Sequence, residues 1–259
     1  MKFFDSHSHL NDEQFDKDRY ELIEQFKKEN IEGFITAGYN VEGSKKAIEI
    51  AENCEETYAT VGVSPNDIPQ TEEELWKELA QIEELAKNKK VVAIGEIGLD
   101  FYWNKDNKDL QIKAFIEQIK IANKLDLPIV IHTREAVMET LQVLKENNVI
   151  NKGVFHCCPL NRELVKEAIK LDFYISFSGV VTFKNAKNAE EIINMVPLDK
   201  ILIETDSPYL APEPYRGTRN TPINVKLVAE KIAKVRNITI EEAGNLTLKN
   251  ASKLFKILK

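Results

Sequence analysis

The chain has 259 residues, 43% hydrophobic and 30% charged, with a formal net charge of −7. That is enough apolar material for a large core at a length normal for one α/β barrel, which excludes a disordered chain. The acidic balance excludes a molecule-wide basic field of the kind that coats nucleic acid, although bound divalent cations add positive charge where they sit.

Short apolar runs rich in Val, Ile and Phe alternate with segments of helical spacing. In chain order, strands are expected at residues 2–9, 31–37, 57–63, 91–95, 128–132, 153–156, 173–177 and 201–206. The helices that follow them are expected at 16–29, 41–53, 71–88, 108–125, 134–146, 162–171, 186–195 and 223–235. The tail, 239–259, reads as two more short helices, the first opened by Thr239 ahead of Glu241 and Glu242. Continuous apolar strands belong to a parallel sheet covered on both faces. Eight βα units in this length predict a single-domain (β/α)₈ TIM-type barrel over residues 1–259, with an open doubly wound sheet as the competing architecture. Glu72, Glu73 and Glu74 open a helix, where they complement its dipole.

Three cysteines (Cys54, Cys157, Cys158) are too few, and odd in number, for a disulfide framework. They read as reduced thiols of a cytoplasmic protein. The first ten residues are too short and polar for a signal peptide, and no apolar run approaches the ~20 residues that span a bilayer.

All four histidines fall at the C-terminal ends of expected strands, the face where this fold builds active sites. His7 and His9 are two apart, so on a strand both rings point to one side. Asp5 shares their parity. Glu96 follows the fourth strand in GEIGLD, and its two oxygens can bind one ion each; the plain alternative is an ion pair with a lysine. His132 ends PIVIH and His156 ends GVFH. Asp206 ends ILIETD, where it can bind a metal and accept a proton from water, and Glu204 shares its parity. Together, His7, His9, Glu96, His132, His156 and Asp206 are nitrogen and oxygen ligands suited to Zn²⁺, Mn²⁺ or Mg²⁺. Six are too many for one tetrahedral site and enough for two divalent ions.

Four of the six arginines (Arg134, Arg162, Arg216, Arg219) lie in expected βα segments, where the guanidinium fork suits phosphate. Lys105, Lys184 and Lys187 add charge, and Phe101, Tyr102, Trp103 and Tyr209 are rings that either stack on bases or pack under loops.

The motifs DSHSHL (5–10), GEIGLDFYW (95–103), PIVIHTREA (128–136), GVFHC (153–157) and ETDSPYLAPEPYRGTRNTP (204–222) lie in order along nearly the whole chain. With these motifs the sequence resembles the TatD family of metal-dependent deoxyribonucleases. The resemblance implies an amidohydrolase-type barrel whose metal ligands are His7, His9, Glu96, His132, His156 and Asp206. Glu96 is then the bridge between ions, Asp206 also the general base, and Arg134 a substrate contact. It implies DNA as substrate. Single strands or strand ends are the expected form of it, and exonuclease action is the expected mode, which an end-on pocket would favour. The sequence departs from the family in two places. Ser64 stands in VGVSPND where many relatives have histidine, and Cys157-Cys158-Pro159-Leu160 replaces Cys-Phe-Ser-Gly after His156. An amidase, lactonase or aminoacyl-ester hydrolase using the same two-metal centre is the alternative activity, because such a water attacks carbonyl carbon as well as phosphorus.

Overall fold

The computed structural model describes residues 1–257. Eight strands pair in chain order, every pair parallel: β1 (Phe3–Ser8), β2 (Ile31–Ala37), β3 (Thr57–Val61), β4 (Val91–Asp100), β5 (Ile129–Arg134), β6 (Gly153–Phe155), β7 (Tyr174–Phe177) and β8 (Ile201–Ile203). The helices are α1 (Arg19–Lys28), α2 (Val41–Asn53), α3 (Glu72–Leu85), α4 (Lys108–Lys124), α5 (Val137–Glu146), α6 (Arg162–Lys170), α7 (Ala189–Met195), α8 (Val225–Arg236) and α9 (Ile240–Phe255).

This is the expected (β/α)₈ barrel, nearly closed. Among the described residues no strand ladder joins β8 to β1. Individual bonds cross the seam instead: Ser6 Oγ donates to the Ile203 carbonyl (2.9 Å), Asp206 N–H to that of His7 (3.0 Å) and His9 N–H to that of Ser207 (2.7 Å). These bonds bring the two ends of the sheet, and the histidines and Asp206 with them, to one point.

The apolar residues divide between the two faces of the sheet. Phe3, Phe34, Ile94, Ile129 and Phe155 belong to a cluster shared with the surrounding helices. Phe4, Ile35, Val92, Val130, Val154, Tyr174 and Leu202 form a second cluster whose helical members, among the described residues, come from the end of the chain: Ala251, Leu254 and Phe255 of α9, followed by Ile257. The second cluster is the barrel interior. Phe4, Val92, Val130 and Tyr174 stand in the first two positions of their strands, so α9 closes the N-terminal end and leaves the C-terminal end to the site.

Local chemistry fixes the helix starts. Asn40 and Asn161 accept the N–H groups of Gly43 (2.8 Å) and Leu164 (2.9 Å) at the starts of α2 and α6. Thr71 caps α3, and Thr239 with Glu242 forms a capping box on α9; such caps contribute about 1 kcal/mol each.

The structure corrects several expected boundaries. The tail is one helix, not two: α9 runs unbroken to Phe255 because its apolar face is continuous along the barrel floor, and residues 258–259 lie outside the described chain. A 3-10 turn over Glu13–Phe15, capped by Asp12, delays α1 to Arg19. The fourth strand does not stop at Gly95 but continues to Asp100 beside β5, so Glu96 lies within it. The eighth ends at Ile203, three residues before Asp206.

Two glycines permit the close approach of β4 to β5. A Cβ on Gly95 would lie 2.5 Å from Val130 Cβ. One on Gly98, whose φ is +138°, would lie 2.0 Å from the His132 carbonyl oxygen.

Candidate metal centre

His7 is the penultimate residue of β1, and His9 follows the strand. Their Nε2 atoms lie 3.2 Å apart. Asp206, in the left-handed region at φ 55°, is held against β1 by its N–H bond to the His7 carbonyl, and its Oδ1 lies 3.6 Å from His7 Nε2 and 3.4 Å from His9 Nε2. Glu96 Oε2 completes this group at 3.6 Å from both rings.

The other Glu96 oxygen faces a second pair. Oε1 lies 2.8 Å from His132 Nδ1 and 3.3 Å from His156 Nε2, and those two nitrogens are 3.2 Å apart. The His7 and His156 rings stack with centroids 4.1 Å apart, which joins the two groups. All six expected ligands therefore converge, in two sets that share Glu96.

The donor set fits divalent cations. Imidazole nitrogens facing one another at 3.2 Å in a buried cluster cannot all be satisfied by each other's protons. The carboxylate oxygens beside them add negative charge that no lysine or arginine neutralises; among the described residues every ion-pair partner of Glu96 and Asp206 is a histidine. The lysine pairing open to Glu96 from sequence does not occur. Sulfur is absent from the set: Cys157 lies beside His156, but its thiol contacts Ser178 Oγ at 3.2 Å. Burial, then the charges of Asp206 and Glu204, push that thiol well above the ordinary range, and burial takes Cys158 up to about 12.

The charges of the cluster interlock. Burial opposes ionisation of Glu96, yet the His156 charge and hydrogen bonds from His132, His156 and His7 hold it well below the usual carboxylate range. Burial also opposes ionisation of Asp206, and His9 and His156 lower it. His156 rises well above the ordinary histidine value because Glu96 and Glu204 outweigh its burial. His9 and His132 rise for the same kind of reason, through Asp206 and through Asp100 with Glu96. His7 falls, desolvated and beside His156.

Behind the ligands stand further carboxylates, one of which fixes a ligand ring. His132 Nε2 donates to Asp100 Oδ2 (3.0 Å), which selects Nδ1 as the nitrogen facing Glu96. Glu204 accepts the Cys157 N–H (2.6 Å) and places Oε1 3.3 Å from His156 Nδ1, although that pair is not aligned for a hydrogen bond. Asp5 points away from the donor cluster: it accepts from Thr205 N–H (2.9 Å), from the Thr205 hydroxyl and from His7 N–H (3.3 Å), and burial raises its pKa. Asp100 was not singled out in the sequence. Its signal was present, since it shares strand parity with Glu96 four residues earlier.

A cavity of about 950 Å³ opens over this cluster, lined by His9, Glu96, His132, His156 and Asp206 and by Ser64, Trp103, Arg134, Cys157 and Tyr209. Ser64 donates to Asp67 Oδ2 (2.8 Å) on the cavity wall. Arg134 is exposed there, its guanidinium carbon 3.9 Å from the Tyr102 ring centre, and among the described residues no carboxylate pairs with it. The other expected arginines are not on this wall. Arg219 donates to Asp18 through both terminal nitrogens and to the Gln14 carbonyl, Arg162 pairs with Glu191 (2.5 Å), and Arg216 lies over Phe183. Lys105, Lys184 and Lys187 also lie outside the lining. No helix of the described residues is long and apolar enough to cross a membrane.

Residues 4–256 match the family described as TatD related DNase. The chain is 44% identical to the uncharacterized metal-dependent hydrolase YabD of Bacillus subtilis, covering 98% of this chain and 99% of that protein. It is 36% identical to the uncharacterized metal-dependent hydrolase YcfH of Escherichia coli K12, covering 99% of this chain and 97% of that one. The crystal structure of YjjV, a TatD homologue of Escherichia coli K12, superposes with a TM-score of 0.92 at 25% identity, covering 99% of this chain and 98% of the other.

Proposed function

The chain belongs to the TatD family of metal-dependent hydrolases, and from that premise we propose that it is a deoxyribonuclease that hydrolyses DNA phosphodiester bonds as an exonuclease on single strands or strand ends. The observation that carries this reading is the position of Arg134: a guanidinium with no carboxylate partner among the described residues, on the wall of the cavity that Glu96 also lines, each Glu96 oxygen facing its own imidazole pair. A guanidinium with no carboxylate partner is suited to a phosphate, and the acidic cluster beside it needs cations before a phosphate can approach.

His7, His9, Glu96 and Asp206 would hold one divalent ion (Mg²⁺, Mn²⁺ or Zn²⁺), and Glu96, His132 and His156 a second. When bound, such ions supply Lewis acidity that polarises a phosphoryl oxygen and lowers the pKa of water. The remaining work falls to side chains. Asp206, ionised at neutral pH because His9 and His156 hold its pKa down, accepts the proton of the attacking water. The water oxygen forms the new bond to phosphorus as the P–O bond to the leaving nucleoside breaks, and the leaving oxygen takes a proton from solvent. Arg134 binds the nonbridging oxygens and stabilises the charge that grows on them. Asp100 keeps His132 turned toward the centre.

The test is cleavage of an end-labelled single-stranded DNA oligomer by metal-stripped protein, refilled separately with Mg²⁺, Mn²⁺ or Zn²⁺, beside Asp206→Asn. Metal-dependent products shortened from one end, absent in the variant, are expected. No cleavage with any ion, together with hydrolysis of carboxylic esters or amides, would replace this reading with carbonyl hydrolysis. Full activity in Asp206→Asn would remove the role of that residue.

A further inference from the structure

We infer that Trp103 is the stacking platform for a nucleobase of the substrate, a specificity-determining residue that makes the cavity select unstacked, single-stranded nucleotides. This rests on the nuclease reading above and deepens it.

Tryptophan usually buries most of its surface in a folded protein, yet Trp103 is 67% exposed. It is nevertheless held in place. It lies three residues beyond the end of β4, and Asp100 Oδ1 accepts the N–H groups of both Tyr102 (2.9 Å) and Trp103 (3.1 Å). The Tyr102 ring meets the Trp103 ring edge-on, with centroids 4.8 Å apart and planes at 86°. The Arg134 guanidinium lies over both, 3.9 Å from one ring centre and 5.4 Å from the other. A large apolar ring pinned through its backbone and flanked by a cation, but left open to water, is not placed there to fill a core.

Its surroundings decide what it faces. Trp103 lines the same cavity as Glu96 and His132, and Asp100 ties its backbone to the side chain of His132. Tyr209 is also exposed on the cavity wall, but its hydroxyl is committed to Asp12 Oδ2 (2.9 Å). Trp76, by contrast, lies on α3 and lines no part of the cavity. A nucleotide presents an anionic phosphate and an aromatic base within a few bonds of each other, and Arg134 beside Trp103 presents the matching cation and ring. In a duplex the faces of a base are covered by its neighbours, so only a single strand or a frayed end can offer one. Stacking of this kind tolerates any sequence, since every base has a π face.

The chain has two tryptophans, so Trp76→Phe leaves Trp103 as the only indole emitter. The metal-loaded variant is titrated with a short single-stranded phosphorothioate oligothymidylate, which resists hydrolysis, and in parallel with an abasic oligomer of the same length. The expected result is saturable quenching of Trp103 by the first and none by the second. In steady-state kinetics on unmodified oligomers, Trp103→Ala should raise KM about tenfold with a small change in kcat, and Trp103→Phe should restore most of the loss. Circular dichroism checks that both variants are folded. Cleavage of DNA with no base-dependent quenching, or equal quenching by both oligomers, overturns the stacking role while the nuclease reading stands. Absence of DNA binding and cleavage with every ion overturns both.

Discussion

Asp100 Oδ2 accepts from His132 Nε2 at 3.0 Å, and His132 Nδ1 in consequence faces Glu96 Oε1 at 2.8 Å. One carboxylate thus selects which nitrogen of the ring is presented. The same residue pins the backbone of Tyr102 and Trp103, so ligand orientation and cavity rim depend on a single side chain.

Asp100→Asn should therefore weaken metal binding without unfolding the barrel. An amide can still accept a hydrogen bond from Nε2, but it carries no charge to support the ring's basicity. A loss of about 10- to 100-fold in affinity is expected at the His132–His156 side. Calorimetric titration of the metal-stripped variant measures it, and wild-type affinity for every ion would show that Asp100 does not orient the ligand.

Metal loading should strengthen as pH rises. In the metal-free protein Glu96 and Glu204 hold the His156 pKa well above the ordinary histidine value, and a metal takes only the neutral ring. Cations and protons therefore compete for Nε2 in the range above about pH 6.5, with affinity changing about tenfold per pH unit for each proton displaced. Stability of the metal-free protein runs the other way. A raised histidine pKa contributes stability that is fully present below the ordinary value and is lost as pH rises through the folded value. The metal-induced rise in melting temperature should accordingly grow as pH rises above about 6.5, the ordinary histidine value. Thermal melts with and without ion across that range, and calorimetry in buffers of different ionisation enthalpy to count released protons, check this. A pH-independent affinity would contradict it.

Arg134→Ala should lower kcat/KM on single-stranded DNA by about 10- to 100-fold, the span of one lost hydrogen bond to a charged group. Arg134→Lys should recover only part, because an ammonium keeps the charge without the two-pronged geometry. Arg134 forms no ion pair among the described residues, so its removal leaves no buried carboxylate uncompensated and the melting temperature should hold within a few degrees. Unchanged kinetics in both variants would move the phosphate contact elsewhere.

The sequence carried the barrel because its strands are buried on both faces and its helices are amphipathic, so period and apolar content alone separate the two. It carried the six ligands because polar residues that end apolar runs are conspicuous. It did not carry the ends of β4 and β8. Those depend on which neighbour offers a partner: β4 extends to Asp100 because β5 runs beside it, and β8 stops at Ile203 because the chain turns back to bond with β1. Arg219 was indistinguishable from Arg134 by residue type and loop position. Only the fold brings Asp18, 201 positions away, against its guanidinium. Asp100 shares strand parity with Glu96, yet parity alone does not mark its role, since a carboxylate that orients a ligand resembles any strand-end acid until the ring it holds is seen.

Gly98 ties the backbone of β4 to the chemistry of β5. Its φ of +138° lies outside the range of L side chains, and an added Cβ would meet the His132 carbonyl oxygen at 2.0 Å. The backbone strain alone costs about 1–3 kcal/mol. The steric conflict cannot be relieved by a side-chain rotation, because the opposing atom belongs to the main chain. β4 and β5 would have to move apart at the point where Gly98 pairs with His132, two residues beyond Glu96. Gly98→Ala is therefore expected to lower the melting temperature and to weaken metal binding together, unlike Asp100→Asn, which should weaken metal binding without unfolding the barrel. Thermal melts and metal titration of the two variants side by side distinguish these effects. A Gly98→Ala protein that retains wild-type stability and affinity would mean that the strands do not need this close approach to hold Glu96 and His132 at 2.8 Å.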